Sequence, residues 1–259
     1  MSAVNDGPHL ESRRRDGVLR LARSSAEWLS TGWNGGRQRA DCAYNVSVPE
    51  GWGRTDLGAY ADERLERAGF EDPGPVLFTG VDVADARGAH CGPVTAYATA
   101  GISNPAALPM EPSGGSLGTS SDDGSDSGSP AGTVNVVAYA DRRLADGALA
   151  NLLAVAAEAK AATLLAETGF PGTTTDAVVV GHDPAGEPAA FSGSATTVGA
   201  ATRACVRDAV RASLRAHYGP GSDVERPDSL EDAAYGVSTD VRARVLDPGL
   251  GAADRERER

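Results

Sequence analysis

Residues 151–169, NLLAVAAEAKAATLLAETG, constrain the fold more than any other stretch of the chain. Alanine, leucine and glutamate favour helix, and at about 100° per residue Leu149, Leu153, Ala156, Lys160 and Leu164 fall on one stripe. Val155 and Leu165 lie off that stripe, so the helix is apolar nearly all round. A helix of this kind needs cover on two sides, which points to a layered domain. Lys160 sits near the middle of its core-facing stripe, and it is the only lysine among 24 basic residues. A buried ammonium must find a carboxylate or lose its proton. One reading lets Lys160 snorkel to solvent and leaves Glu158 on the surface. The other makes the pair functional, and the sparing of this single lysine favours it.

Short β-branched or apolar runs bounded by Gly and Pro predict strands at 17–22, 42–48, 76–81, 94–100, 133–139 and 176–180. Helical patterns cover 56–68, 144–167 and 197–217, with Asp56 as a cap and Gly69 and Gly219 where C-terminal glycines belong. These elements predict one layered α/β or α+β domain over 17–218, with a mixed sheet of about six strands and three long helices. Residues 1–16 read as a polar N-terminal extension. Residues 112–132, PSGGSLGTSSDDGSDSGSPAG, carry one large apolar residue, Leu117, and read as a disordered acidic insertion between two strands. The acidic tail, 219–259, is broken by Pro220, Pro227 and Pro248. It is expected to lie largely disordered outside the core, with at most a short helix at 229–235.

The net charge is −12, with 36 acidic residues against 24 basic ones. Acidic excess with almost no lysine fits adaptation to high salt, and a GC-rich genome that favours Arg and Ala codons is a compatible cause. Such a surface repels phosphate backbones, which argues against a nucleic-acid partner. The three cysteines, Cys42, Cys91 and Cys205, are odd in number and far apart, so a disulfide framework is not expected and a reducing cytosol is. CxxC and HExxH are both missing, and no metal site is expected. No apolar run approaches the ~18–20 residues needed to span a bilayer. Leu19 and Leu21 alternate with Arg20 and Arg23, unlike a signal peptide. The expectation is a cytoplasmic protein without a membrane partner.

Ligand-binding signals gather in loops. Gly172-Thr173-Thr174-Thr175-Asp176 precedes a strand, where Thr hydroxyls and a carboxylate sit at a reachable edge. A carboxylate with a lysine nearby can run acid/base chemistry. Trp33-Asn34-Gly35-Gly36 combines an amide with two glycines that admit close backbone approach. Asn104 ends one strand and Asn135 begins another. Each loop alone reads as ordinary turn chemistry, and together they suit one shared pocket.

In order along the chain, WNGG, ATAGISNP, GTVNVV, EAKAATLLAETG and GTTTDAVVV resemble the adenosylcobinamide amidohydrolase family of archaeal cobalamin salvage. The resemblance spans roughly 17–217 without the polar insertion. It implies hydrolysis of the amide that joins the corrin ring's propionyl arm to aminopropanol, giving adenosylcobyric acid. A corrinoid small molecule is then the substrate, and no cofactor is called for. The insertion and the tail depart from the family pattern, fit salt adaptation, and leave homo-oligomer formation open.

Three mechanistic readings stand side by side. In the first, Asp176 or Glu158 activates water, Lys160 stabilises charge or protonates the leaving amine, and Asn34 or Asn104 holds the oxyanion. Asn34, Gly35, Gly36, Asn104, Asn135, Thr173 and Thr175 then contact the substrate. The chain lacks GxSxG, and of His9, His90, His182 and His217 only His90 and His182 fall at core positions; His182 ends a strand where it could serve as a base, and the structural reading is favoured. In the second, Gly132-Thr133 is a self-processing site that frees a Thr amine. The third is a corrinoid-binding protein with no catalysis. Arg203, Arg207, Arg211 and Arg215, spaced by four, read as partners of neighbouring carboxylates.

Overall fold

A computed structural model describes residues 10–49, 51–116, 132–233 and 235–246. Its main sheet has eight strands: β1 (Glu11–Arg15), β2 (Val18–Ser30), β3 (Gly36–Ser47), β4 (Val76–Thr79), β5 (Arg87–Cys91), β6 (Val94–Ala100), β8 (Val134–Leu144) and β9 (Ala177–Ala189). The sheet runs β4-β3-β2-β9-β8-β6-β5, with β1 paired to β2. Pairing is parallel for β3–β4 and β8–β9 and antiparallel elsewhere, so the sheet is mixed, as expected, but larger than six strands. A two-stranded ladder joins β7 (Ala106–Ala107) to β10 (Val237–Ser238).

Three helices complete the layers: α1 (Leu57–Ala68), α2 (Asp146–Thr168) and α3 (Thr197–His217). Asp56 caps α1 by accepting the N–H of Ala59 at 3.1 Å, and Gly69 closes it with φ 65°. Gly169 closes α2 in the same left-handed region, whereas α3 ends on Tyr218, not on a glycine cap at 219. Val94, Ala96, Ala98, Val134, Val136, Ala138, Val178 and Val180 of the sheet pack with Leu149, Leu152, Ala156 and Leu164 of α2 and Val206, Ala209 and Val210 of α3. The alternate residues of the strands, among them Trp28, Ala43, Leu77, Val137, Tyr139 and Val179, form a second core on the opposite face.

Helix α2 is buried on the faces carrying Val155 and Lys160, while Leu165 is exposed, so its cover is incomplete. By length and composition this helix could cross a bilayer, contrary to the expectation that no run suffices. Half of that apolar window is buried inside the fold, as a core helix requires. Arg203 pairs with Glu158 and Arg211 with Glu167, tying α3 to α2, while Arg207 pairs with its neighbour Asp208.

Two segments read as peripheral contribute to the fold. Leu10 is buried, and Glu11–Arg15 adds a strand alongside the first part of β2, an interior strand of the sheet. In the tail, Pro227 is buried, Leu230 packs on the main core and β10 pairs with β7. Residues 229–232 form a turn held by Ser229 and Asp232, not a helix. Residues 117–131 of the insertion and 247–259 of the tail lie outside the described residues.

Candidate active site

One end of the sheet collects polar side chains from five strands. The starts of the parallel pair β8 and β9 meet the ends of β3, β4 and β6 there. Asn135, the second residue of β8, is 1% exposed. Its amide donates to Asn45 Oδ1 at 3.0 Å and to the carbonyl of Phe78 at 2.9 Å, and its oxygen accepts the N–H of Ala177 at 3.2 Å. Asn45 donates to Thr99 Oγ1 at 2.9 Å. These bonds stitch the edge strand β4 back onto β8, so the sheet curls around its second core. A polar side chain buried here is stable because its partners replace water.

Beside this network lies the turn 172–176. Asp176 Oδ1 accepts the backbone N–H of Val134 at 2.9 Å and the hydroxyl of Thr173 at 2.5 Å. Its Oδ2 accepts the N–H of Thr173 at 3.1 Å and pairs with Lys160. The lone lysine of α2 has therefore found a buried carboxylate, one of the two outcomes its position demands. A Cβ on Gly172 would come within 2.7 Å of Asp176 Oδ2, so the close approach of this turn needs glycine.

The same turn holds Thr133. The Thr133 and Thr175 hydroxyls are 3.0 Å apart, and Thr175 Oγ1 donates to the carbonyl of Gly132 at 3.2 Å. Thr133 is 5% exposed, whereas Thr174 and Thr175 are open to solvent. Asn104, 1% exposed, donates to Thr174 Oγ1 at 2.6 Å, and its Oδ1 is buried without a partner. A Cβ on Gly132 would lie 2.3 Å from that oxygen and 2.5 Å from the N–H nitrogen of Ser103.

Of the residues singled out from sequence, Lys160, Asp176, Thr173, Thr175, Asn104 and Asn135 converge on this end of the sheet. Glu158 does not: its side chain is 60% exposed and paired with Arg203, since two residues along a helix turn it away from Lys160. Asn34, Gly35 and Gly36 form the exposed β2–β3 turn, with Asn34 at φ 48°. That turn adjoins the site through Thr31, whose hydroxyl accepts the N–H of Val178 at 3.0 Å, and through Trp33, whose ring is 6.1 Å from that of Phe78.

Sequence reasoning missed Asn45, Thr99 and Thr79, whose Oγ1 accepts from Thr99 at 3.4 Å, although an asparagine inside the apolar run of β3 is a readable signal. It also set His217 aside. That side chain is 13% exposed, pairs with Asp85 at 2.9 Å and packs against Gly101, whose N–H reaches the carbonyl of Thr133 at 3.2 Å. His182 is held at both ring nitrogens. Nδ1 accepts the N–H of Leu144 at 3.1 Å, which leaves Nε2 to donate to Glu27 at 3.2 Å. Among the described residues, no group of three or more His, Cys, Asp or Glu side chains is placed to hold a metal ion.

Residues 2–222, which include every residue of this cluster, match the family model described as adenosylcobinamide amidohydrolase. The chain belongs to that family. It is 58% identical over 240 residues to the adenosylcobinamide amidohydrolase of Halobacterium salinarum, covering 92% of this chain and 99% of that one. With the protein of the same description from Methanosarcina mazei it shares 27% identity over 205 residues, 75% of this chain and 92% of the relative. Two solved structures give weaker matches. A protein of Pyrococcus horikoshii OT3 covers 79% of this chain and 78% of its own at 12% identity and a TM-score of 0.40. A Burkholderia beta-aminopeptidase covers 85% and 87% at 14% identity and a TM-score of 0.39.

Proposed function

We propose that this adenosylcobinamide amidohydrolase family member cleaves the amide between the corrin propionyl arm and aminopropanol, yielding adenosylcobyric acid, at the end of the sheet around Gly132–Thr133 and the 172–176 turn. The observation that carries the reading is the family match across nearly the whole chain, including that end of the sheet. Amide hydrolysis needs a nucleophile, a stabiliser for the oxyanion and a proton for the leaving amine. The threonine hydroxyls and the Asn104 amide supply these types in one place. The Asn104 NH2 group has two protons, of which Thr174 takes one, and the other is available to an oxyanion.

Asp176 has four hydrogen-bond donors on two oxygens, so its acceptor sites are taken and none is left to hold a water. Its part in the reaction is positioning: it joins Lys160, Thr173 and the Val134 N–H into one rigid corner. Trp33, 40% exposed, with Phe78 and the rest of the β2–β3 turn, forms an apolar shelf beside the polar cluster. A corrinoid, apolar across its plane and amide-rich at its rim, matches such a surface, with Asn34, Gly35 and Gly36 at the rim. The acidic chain is expected to work in a salt-rich cytoplasm.

A mass-spectrometric assay for aminopropanol release from adenosylcobinamide, with purified protein in molar potassium chloride, tests the reading. Release at multiple turnovers is expected. Tight corrinoid binding without release would replace the enzyme with a binding protein.

A further inference from the structure

We propose that the peptide bond between Gly132 and Thr133 is cut by Thr133 itself, and that the Thr133 so freed is the nucleophile of the amidohydrolase. The second half rests on the amidohydrolase reading; the first does not.

The geometry around this one peptide carries the inference. Thr175 Oγ1 has a single proton, and its bond to the Gly132 carbonyl at 3.2 Å uses it. The 3.0 Å contact with Thr133 is then a bond donated by Thr133. The result is a continuous chain, Thr133 O–H to Thr175 O–H to the carbonyl oxygen of Gly132. A hydroxyl is therefore wired to the carbonyl of its own preceding peptide through one relay group. The peptide that follows Thr133 is fixed at both its polar groups: Val134 N–H is held by Asp176 at 2.9 Å, and the Thr133 carbonyl by Gly101 N–H at 3.2 Å.

Two further features fit a cut here. Gly132 passes so close to Ser103 and Asn104 that no side chain could stand in its place. Asn104 Oδ1, buried beside that backbone, has no donor in the uncut chain. A buried acceptor without a donor is costly and calls for an explanation. An amine released at Thr133 would bring N–H donors to this spot.

The steps balance. Thr133 Oγ1 attacks the carbonyl carbon of Gly132, its proton passing to Thr175 as the Thr175 proton passes to the carbonyl oxygen. Collapse breaks the C–N bond, sends a proton to the nitrogen, and leaves an ester from Gly132 to Thr133 Oγ1 with a free Thr133 amine. One water hydrolyses the ester, giving a Gly132 carboxylate and restoring the hydroxyl. In turnover, Thr133 Oγ1 attacks the substrate amide, the Thr133 amine takes its proton and delivers it to the leaving aminopropanol, and a second water releases the acid.

Intact-mass measurement and N-terminal sequencing of the purified full chain test this. Two polypeptides are expected, one beginning at Thr133, with masses that sum to the intact chain plus one water. Thr133→Ala should stay uncut and inactive, Thr133→Ser should be cut and active, and Thr175→Val should be cut about 10²-fold more slowly. Circular dichroism on each variant separates a lost cut from a lost fold. A single intact chain overturns the inference, and if that chain releases aminopropanol the amidohydrolase reading survives it. Cutting of Thr133→Ala at the same bond would also overturn it. A chain cut at Thr133 that releases no aminopropanol keeps the self-cleavage and sinks the enzymatic half.

Discussion

The ammonium of Lys160 and the carboxylate of Asp176 form one ion pair between the middle of α2 and the entrance of β9, with 10% and 11% of the two side chains exposed. Removal of one partner strands the other charge in a low-dielectric corner. Lys160→Met should therefore cost about 3–5 kcal/mol, read from the denaturant midpoint. Lys160→Met with Asp176→Asn should recover part of that loss, because no charge is then left unpaired. A single variant as stable as wild type would mean the pair is solvated.

Asn135 makes three hydrogen bonds to three different strands. Asn135→Ala orphans the partly buried amide of Ala177 and carbonyl of Phe78, each costing about 1–3 kcal/mol. The midpoint of thermal unfolding should fall, and amide exchange should quicken first in β4, which depends on this side chain to reach β8.

Two glycines separate crowding from conformational freedom. Gly132→Ala would set a methyl against Asn104 and the Ser103 backbone, at 2.3 and 2.5 Å, and should destabilise by about 1–3 kcal/mol. Gly147, in the first turn of α2, has nothing within 4 Å of a new Cβ, so Gly147→Ala should stabilise by about 0.4–1 kcal/mol. Paired urea titrations check both signs.

Glu27 predicts part of the acid limb of stability. Burial opposes its charge, but hydrogen bonds from Arg37, His182 and Arg39 outweigh that and hold the carboxyl below its ordinary value of 4.5. An acid depressed in the folded state adds stability that is complete above about pH 4.5 and fades as pH falls through the lower folded value. Glu27→Gln should flatten the stability curve in that acid window and leave its slope at neutral pH unchanged.

Thiol reactivity reports the packing directly. Cys42 and Cys205 are buried and Cys91 is exposed. Burial raises the Cys42 thiol and pushes that of Cys205 up to about 12. A thiol-specific reagent should label Cys91 quickly in the native protein and all three cysteines only after unfolding.

Much of this architecture is legible in residue order because periodicity is a local property. The helices and six of the strands follow from apolar spacing and glycine or proline boundaries. What escaped detection depends on contacts between distant residues. The middle of β2 reads as polar, RSSAE, and it carries a bulge between Ala22 and Ala26 that breaks the alternation and sets Ser25 at φ 59°. The strand Arg87–Cys91 is half exposed and ordinary in composition. Lys160 and Asp176 were readable as a pair because a buried ammonium has few alternatives, and Glu158 misled because helical phase resolves faces but not which face meets the site. The network of Asn45, Thr79 and Thr99 forms only when the sheet curls, which no local pattern encodes.

The most direct test of the account is single-turnover aminopropanol release from adenosylcobinamide by Asn104→Ala and Glu158→Ala, each checked for native unfolding behaviour. Asn104 Oδ1 sits unpartnered against Gly132, while Glu158 pairs with Arg203 at the surface. The account predicts that Asn104→Ala loses about 10²–10³-fold in rate with corrinoid binding retained, as removal of an oxyanion donor does, and that Glu158→Ala is unchanged. Full turnover by folded Asn104→Ala, or loss of turnover in Glu158→Ala, would contradict the placement of the reaction at this end of the sheet.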